Sequence, residues 1–138
     1  MRIVQWTVLA LAGVAWNAQA QQTCPELPAG APLSWEQQPG SGFLVCRAVA
    51  TDGRQVFGVM LTDKPTISPR RRNRQEEGRI GSHEMYWYEP DIAVSTGEEK
   101  RVTVIELGKD RYAQIWVDAP DPEALQRSLA LAQGIALD

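Results

Sequence analysis

The sequence predicts an α+β domain, built as an antiparallel sheet of about five strands with one C-terminal helix packed on it. Two pairs of β-rich runs are each separated by a short turn, as in β-hairpins. A further short run between them is rich in aromatic residues and predicts a linking strand. The last part of the chain carries leucines at helical spacing.

The first hairpin is predicted from the runs 43–50 (FLVCRAVA) and 55–62 (QVFGVMLT). Asp52-Gly53 lies between them, and this dipeptide is the strongest short-range hairpin signal, typical of a type I′ turn. A loop at this position makes one face of the hairpin fully apolar, with Leu44 opposite Leu61, Cys46 opposite Val59 and Ala48 opposite Phe57.

The linking strand is predicted over 83–88, and the second hairpin joins 101–107 to 112–117 through a turn at Lys109-Asp110. With that two-residue loop, one face of the second hairpin holds Val102, Val104, Ile115 and Val117. The other face then holds Thr103, Ile105, Leu107, Tyr112, Gln114 and Trp116.

The C-terminal helix has a clear start and stop. Asp121 is a good N-cap, Pro122 fits the first helical position and Glu123 complements the helix dipole. Gly134 is a plausible end of the helix. The apolar stripe that must pack on the sheet consists of Leu125, Leu129 and Ala132, with Leu131 nearby.

Two segments are predicted to lack regular structure. Residues 25–42 are rich in proline and glycine around Trp35, which predicts an extended, irregular segment that leads into the domain. Residues 63–79 carry a charged run between prolines with no apolar period, which predicts a long loop. Loops of that length are uncommon unless they are functional or disordered.

The N-terminus has the pattern of a cleavable signal peptide over residues 1–20. Arg2 precedes the apolar run 3–16, and Ala18-Gln19-Ala20 is an A-x-A cleavage site. The alternative is an uncleaved N-terminal helix. The expected organisation is a signal peptide (1–20), a lead-in (21–42) and one globular α+β domain (43–138) without a membrane span. The expected location is the periplasm, with secretion from the cell also possible.

Charge and cysteine content narrow the classes of function. The net charge of −3 becomes one unit more negative when Arg2 is removed, which argues against a nucleic-acid-binding protein. Cys24 and Cys46 both follow the signal peptide, and two cysteines in an exported chain usually form a disulfide. Their spacing excludes a C-x-x-C redox pair.

Catalytic chemistry has little support in the sequence. His83 is the only histidine, which excludes a site with several histidine ligands. A carboxylate pair, such as Glu89 with Asp91 or Glu84 with Glu106, has the chemistry for glycoside hydrolysis, but nothing distinguishes these acids from surface residues. We therefore predict a protein that is not an enzyme and uses no metal and no cofactor.

Two features favour recognition of a partner. Four arginines, Arg70, Arg71, Arg72 and Arg74, lie in the predicted long loop, and guanidinium groups bind carboxylates and phosphates through paired hydrogen bonds. The alternative is a solvated loop that Glu76 and Glu77 partly neutralise.

The second feature is the aromatic strand. Tyr86 and Tyr88 fall on one face, and Met85 and Trp87 fall on the other. One pair belongs in the core, and the other faces solvent, the helix or a partner. Tyr, Trp and Arg are enriched at interface hot spots, so Tyr86, Tyr88 and Trp116 join the four arginines as candidate binding residues. Packing in the core is the alternative role for these aromatic residues.

The signal that ends at Ala18-Gln19-Ala20, the Cys24 and Cys46 pair and the hairpin-rich body give a format that resembles the small periplasmic immunity proteins of bacteria. Periplasmic lysozyme inhibitors are similar in size and in their use of a disulfide. The stretch 111–125 is similar in layout to the end of photosystem-P-like domains, in which a last strand runs into a helix. Those domains carry a helix before the first hairpin, where this chain has proline and glycine.

The resemblance implies a periplasmic protein-binding module, an immunity or inhibitor protein that neutralises a toxic antibacterial effector or an envelope hydrolase by occlusion. The partner would then be a toxin or an envelope enzyme. Two alternatives stay open: a small envelope hydrolase that uses a carboxylate pair, and an assembly factor of an envelope complex. The sequence does not define an oligomeric state.

Overall fold

The fold is seen in a computed structural model, which describes residues 23–91 and 97–137. Over these residues it contains one antiparallel sheet of seven strands and one C-terminal helix. The elements are β1 (Leu33–Gly40), β2 (Phe43–Ala50), β3 (Gln55–Thr62), β4 (Arg74–Ile80), β5 (His83–Tyr88), β6 (Glu99–Gly108), β7 (Arg111–Ala119) and α1 (Pro122–Gln133). The strand order is β1-β2-β3-β7-β6-β5-β4. The predicted α+β class is confirmed, but the prediction of about five strands is too low.

The two strands missed from the sequence, β1 and β4, form the two edges of the sheet. β1 lies inside the segment predicted to be irregular, and Pro39 is tolerated there because an edge strand pairs on one side only. β4 lies inside the predicted long loop, and its side chains are mostly charged because most of them are exposed. β4 shows no apolar alternation, and in β1 the alternation is limited to Leu33 and Trp35 before a polar run.

The first hairpin has the predicted register, with Leu44 opposite Leu61, Cys46 opposite Val59 and Ala48 opposite Phe57. The predicted type I′ turn is wrong, because such a turn needs positive φ at both central residues and only Gly53 of this loop has it. The Gly53 amide donates to the Ala50 carbonyl, and the Ala50 amide donates to the Arg54 carbonyl. The connection is therefore a three-residue loop that ends on a left-handed glycine.

The second hairpin has the predicted two-residue loop at Lys109-Asp110, but its faces differ from the prediction. Gly108 lies opposite Arg111, whereas Glu106 already lies opposite Tyr112, so Leu107 is an extra residue on β6. This irregularity shifts the pairing by one residue and exchanges the faces of β6 relative to β7. The shifted register gives Val102 opposite Trp116, Val104 opposite Gln114, Thr103 opposite Ile115 and Ile105 opposite Ala113.

The helix α1 begins and ends as predicted. The Asp121 side chain accepts a hydrogen bond from the Ala124 amide at 2.8 Å. The predicted stripe packs on the sheet, with Leu125, Leu129 and Ala132 buried and Leu131 partly buried. At the end of α1, Trp87 Nε1 donates to Gln133 Oε1 at 2.9 Å, which ties β5 to the helix.

The N-terminal segment packs on the same face of the sheet as α1. Cys24 and Cys46 form the predicted disulfide. Trp35 Nε1 donates to the Pro25 carbonyl at 2.8 Å, and the Ala136 amide donates to the Glu26 carbonyl at 3.0 Å. The start and the end of the described chain therefore meet beside the helix, and together they cover one face of the sheet.

The predicted signal peptide falls on residues that lie outside the described part of the chain. Within residues 23–91 and 97–137, no helix combines the length and the apolar character needed to cross a membrane.

Candidate interaction surface

The face of the sheet opposite α1 carries several aromatic and apolar side chains, and we call it the open face. Its members follow from strand alternation and from the pairs Gly58 with Trp116, Val102 with Trp116 and Tyr88 with Val102. The partly buried side chains of the open face are Val45, Met60, Tyr86, Tyr88, Val102, Val104, Tyr112, Gln114 and Trp116. The sheet therefore packs a full core on one side and holds a second, thinner apolar layer on the other.

Two glycines on the open face lie beneath aromatic rings. A Cβ at Gly58 would overlap the indole of Trp116, so this glycine lets the ring lie flat against the sheet. A Cβ at Gly40 would overlap the ring of Phe43 in the same way. Phe43 is 38 % exposed and is the most exposed large hydrophobic residue of the described chain. Both rings therefore lie close against the backbone of the sheet.

The connection between β3 and β4 crosses the open face. β3 lies inside the sheet and β4 at its edge, so the connection must pass β7, β6 and β5. The Thr66 amide and hydroxyl both donate to Gln114 Oε1, at 3.0 and 3.1 Å, which places the connection on the open face. Along this connection Pro65, Ile67 and Pro69 are partly buried, whereas Thr66 and Ser68 are exposed. The predicted long loop is thus an ordered segment that covers part of the apolar layer.

The four candidate arginines, Arg70, Arg71, Arg72 and Arg74, lie where this connection enters β4, and we call them the arginine end. Arg70 Nε lies 2.9 Å from Asp91 Oδ2, and Arg72 Nη2 lies 3.9 Å from Asp91 Oδ1. Asn73 Nδ2 also donates to Asp91 Oδ1 at 2.7 Å. A carboxylate 18 or more residues further along the chain therefore holds this turn in place.

In the alternative drawn from the sequence, Glu76 and Glu77 partly neutralise the charge of the four arginines. The structure gives that role to Asp91, because the carboxylate of Glu76 binds Arg101 instead. Arg71 forms no ion pair with any described residue, and it is exposed on the 3₁₀ turn Arg71–Asn73.

Arg74 joins the arginine end to the aromatic strand. Its guanidinium carbon lies 4.0 Å from the centre of the Tyr86 ring, which is within the range of a cation–π interaction. Arg74 is also the cross-strand neighbour of Tyr88. The sequence presented the arginines and the aromatic residues as two separate features, and the structure places them side by side.

A partly buried ion pair between Arg101 and Glu76 fixes β4 to β6 beneath this site. The Arg101 side chain is only 8 % exposed and points to the covered face. Its Nε and Nη2 donate to the two carboxylate oxygens of Glu76, at 2.7 and 3.0 Å. Arg101 Nη1 also lies 3.5 Å from Glu99 and 4.0 Å from Glu89. Since β5 separates β4 from β6 in the sheet, this pair helps to hold the outer hairpin in its place.

The two partners of this pair shift each other's ionisation. Burial opposes the charged form of Glu76, but the hydrogen bonds from Arg101, a hydrogen bond from the Glu76 backbone and the charge of Arg101 together outweigh burial and hold the pKa of Glu76 below its ordinary value of 4.5. Burial likewise opposes the charge on Arg101, and the carboxylates of Glu76, Glu99 and Glu89 together outweigh that burial and raise the pKa of Arg101. Both groups are therefore charged over the whole range of neutral pH.

Four of the seven candidate binding residues, Arg74, Tyr86, Tyr88 and Trp116, belong to the open face, and Arg70, Arg71 and Arg72 lie at its end. Trp87 and Met85 are buried in the core, as one of the two predicted aromatic faces had to be. Sequence reasoning missed Asp91, Gln114 and the Arg101–Glu76 pair as residues that position this surface. The sequence does carry one signal for Arg101: it lies two residues before Thr103 and four before Ile105, so strand alternation places it on the same face as these core residues.

Two of the acids considered for catalysis, Glu84 and Asp91, are engaged by arginine side chains. Glu84 accepts from Arg79 at 2.7 Å, and Asp91 is held by Arg70 and Asn73. His83 is partly buried, and its Nε2 has no hydrogen-bond partner among the described residues. Over residues 23–91 and 97–137 no cluster of three or more His, Cys, Asp or Glu residues is arranged to hold a metal ion.

Comparison of the chain with protein-family models, with curated proteins and with solved structures finds no match.

Proposed function

We propose that this chain is a protein-binding module of the bacterial cell envelope. In this proposal it is an immunity or inhibitor protein that occludes a toxic effector or an envelope hydrolase, and the open face with its arginine end is the contact surface. The contact of Arg74 with Tyr86 carries the proposal, because it joins a cationic turn and an aromatic layer into one continuous surface.

The composition of this surface is that of an interaction hot spot. Interfaces are enriched in Tyr, Trp and Arg, and the residues that contribute most to affinity lie near the centre, surrounded by contacts that exclude water. Tyr86, Tyr88 and Trp116 form such a centre, with Val102 beside them in the sheet. Tyr and Trp side chains have only about two torsions each, so little side-chain entropy is lost when a partner binds.

The arginine end indicates an acidic partner. Arg71 is unpaired among the described residues, and Arg72 is only loosely held by Asp91 at 3.9 Å. Guanidinium groups in such positions are available to bind carboxylates in two-point contacts. A hydrolase whose active-site cleft is lined by Asp and Glu is the kind of partner that this arrangement fits.

The envelope location rests on the A-x-A signal pattern at Ala18-Gln19-Ala20 and on the disulfide between Cys24 and Cys46. Disulfides persist in the periplasm and outside the cell, and they are rare in the cytosol. An assembly factor of an envelope complex would use the same surface and would differ in its partner, which would be a resident envelope component.

The test is capture of the partner by tagged protein from periplasmic and secreted fractions at low and at high salt, followed by an activity assay of what is captured. We expect one stoichiometric partner whose enzymatic activity falls in proportion as this protein is added. A stoichiometric partner without activity that resides in the envelope would instead favour the assembly factor. Absence of a partner at both salt concentrations would contradict the binding function and make turnover of cell-wall polymers the next assay.

A further inference from the structure

The sheet is split between β5 and β6. Tyr88 with Val102 is the one ladder pair between these strands in the described chain, whereas β6 pairs with β7 from Glu99 to Gly108. Beyond that pair, the Tyr86 carbonyl accepts from the hydroxyl of Thr103 at 2.9 Å, in place of a backbone amide. The two strands therefore separate toward the start of β5 and the end of β6.

The split leaves backbone groups on β6 without a ladder partner. Because the Tyr86 carbonyl points toward β6, the amides and carbonyls of Tyr86 and Tyr88 lie on that side of β5. The facing groups on β6 are those of Val102, Val104 and Glu106, since alternate residues of a strand point to the same neighbour. Val104 and Glu106 lie beyond the one ladder pair, so in residues 23–91 and 97–137 they form no ladder pair with β5.

The side chains of β6 alternate between the two faces: Thr103 and Ile105 are buried on the covered face, whereas Val104 is partly exposed and Glu106 is exposed on the open face. An unpaired row of amides and carbonyls is a template for pairing with another strand. The two outer edges of the sheet are less suited to this, because β4 is bulged between Arg74 and Glu77 and β1 contains Pro39.

We propose that the split binds an extended segment of the partner protein, which adds to the free edge of β6 as a strand. Strand addition of this kind takes its affinity from backbone hydrogen bonds and its specificity from alternate side chains. The proposal rests on the proposed function only in taking the partner to be a protein.

The side chains beside the split define the segment. Glu84 and Glu106 lie on the open face next to it, and Glu106 forms no ion pair with a described residue. Met85 and Ile105 lie on the covered face and are buried. The fitting segment therefore alternates basic residues, directed to the open face, with apolar residues directed to the core.

Amide hydrogen exchange followed by NMR tests the split in the free protein. We expect the amides of Val104 and Glu106 to exchange about 100-fold faster, or more, than those of Thr103 and Ile105, which face β7. Equal protection of the four amides would show that β6 is already paired on both sides, and it would overturn the proposal.

A decapeptide of alternating valine and lysine then tests strand addition. We expect it to slow exchange at Val104 and Glu106, whereas the same peptide N-methylated along one edge has no effect at the same concentration. Equal effects of both peptides, or no protection at these two amides, would overturn the proposal. Glu106→Gln should weaken binding of the lysine peptide about twofold to fivefold, and the matched control Glu123→Gln on α1 should not.

These measurements use a peptide and single amides, so their result is independent of the capture experiment. If the arginine variants lose partner binding and the peptide does not bind, the strand-addition proposal is overturned and the proposed function stands. If the peptide binds at β6 and no partner is captured, the proposed function is contradicted and the strand-addition site is supported.

Discussion

The guanidinium group of Arg74 lies 4.0 Å from the centre of the Tyr86 ring, at the point where the arginine end meets the aromatic layer of the open face. The two residues come from neighbouring strands, β4 and β5, and both are partly or fully exposed. This contact holds a cation directly above an aromatic surface, so a partner that binds one of the two residues also meets the other.

The first prediction concerns the strength of that contact. Arg74→Ala and Tyr86→Leu should each lower the free energy of unfolding, with a coupling of about 0.5–1 kcal/mol in a double-mutant cycle, as for exposed cation–π pairs. Urea unfolding of the four proteins measures it. The same cycle with Arg79→Ala, whose partner is Glu84, should give no coupling to Tyr86→Leu. Coupling of equal size in both cycles would contradict a specific contact.

The second prediction concerns the partly buried ion pair. Glu76→Gln should lower the free energy of unfolding at neutral pH by about 1.5–3 kcal/mol, because Arg101 loses a two-point charged hydrogen bond. Glu84→Gln is the matched control, since the Glu84–Arg79 pair is exposed and its loss should cost less than about 1 kcal/mol.

The same pair predicts a dependence on pH. The pKa of Glu76 in the folded protein lies below its ordinary value of 4.5, so the unfolded chain binds this proton first. The stabilisation by Glu76 is therefore complete above pH 4.5 and is lost as the pH falls through the lower, folded pKa. Urea unfolding between neutral and acid pH should show a smaller loss of stability in Glu76→Gln than in the wild type. Parallel curves for both proteins would contradict this assignment.

The third prediction tests the position of the Trp116 indole over Gly58 of β3. Gly58→Ala places a Cβ where the Trp116 indole lies, and we expect it to cost about 1–3 kcal/mol of stability. In a Trp116→Ala background the same change should be neutral or stabilising, because alanine loses less backbone entropy than glycine in a strand. An equal cost in both backgrounds would place the indole elsewhere.

Much of this fold follows from local patterns in the sequence. The Asp52-Gly53 and Lys109-Asp110 turns, the helix signals around Asp121 and the cysteine pair all act within a few residues or through a common chemical rule. Trp116 shows where such reasoning fails. The extra residue Leu107 shifts the register by one, so Trp116 shares a face with Val102 and Val104 and not with Thr103 and Ile105. Nothing local in the sequence marks that irregularity.

The candidate site was predictable in its residue types and not in its arrangement. The arginines and tyrosines stand out by composition, but their contact depends on β4, whose charged residues hide its strand character. Asp91 is distant in sequence from the turn that it holds, and Gln114 is 48 residues from Thr66. Such contacts are set by the order of the strands, which the sequence pattern alone does not encode.

The fourth prediction concerns the disulfide. Replacement of Cys24 and Cys46 together by alanine should lower the free energy of unfolding by about 3 kcal/mol, the value expected for a closed loop of this length. Urea unfolding at neutral pH measures the effect. Reduction of the wild type should destabilise it by a similar amount, and a double variant as stable as the oxidised protein would contradict a structural role.

The most direct test of the open face as a contact surface is the association rate of the captured partner, measured at low and at high salt. The variant replaces Arg70, Arg71, Arg72 and Arg74 by alanine, and its control replaces four other exposed cations, Arg54, Lys109, Arg111 and Arg127. Both proteins lose the same charge, and their thermal unfolding shows that each is folded. The account predicts slower association and a flatter salt dependence for the first variant only. Equal rates and equal salt dependence for the two variants would contradict it.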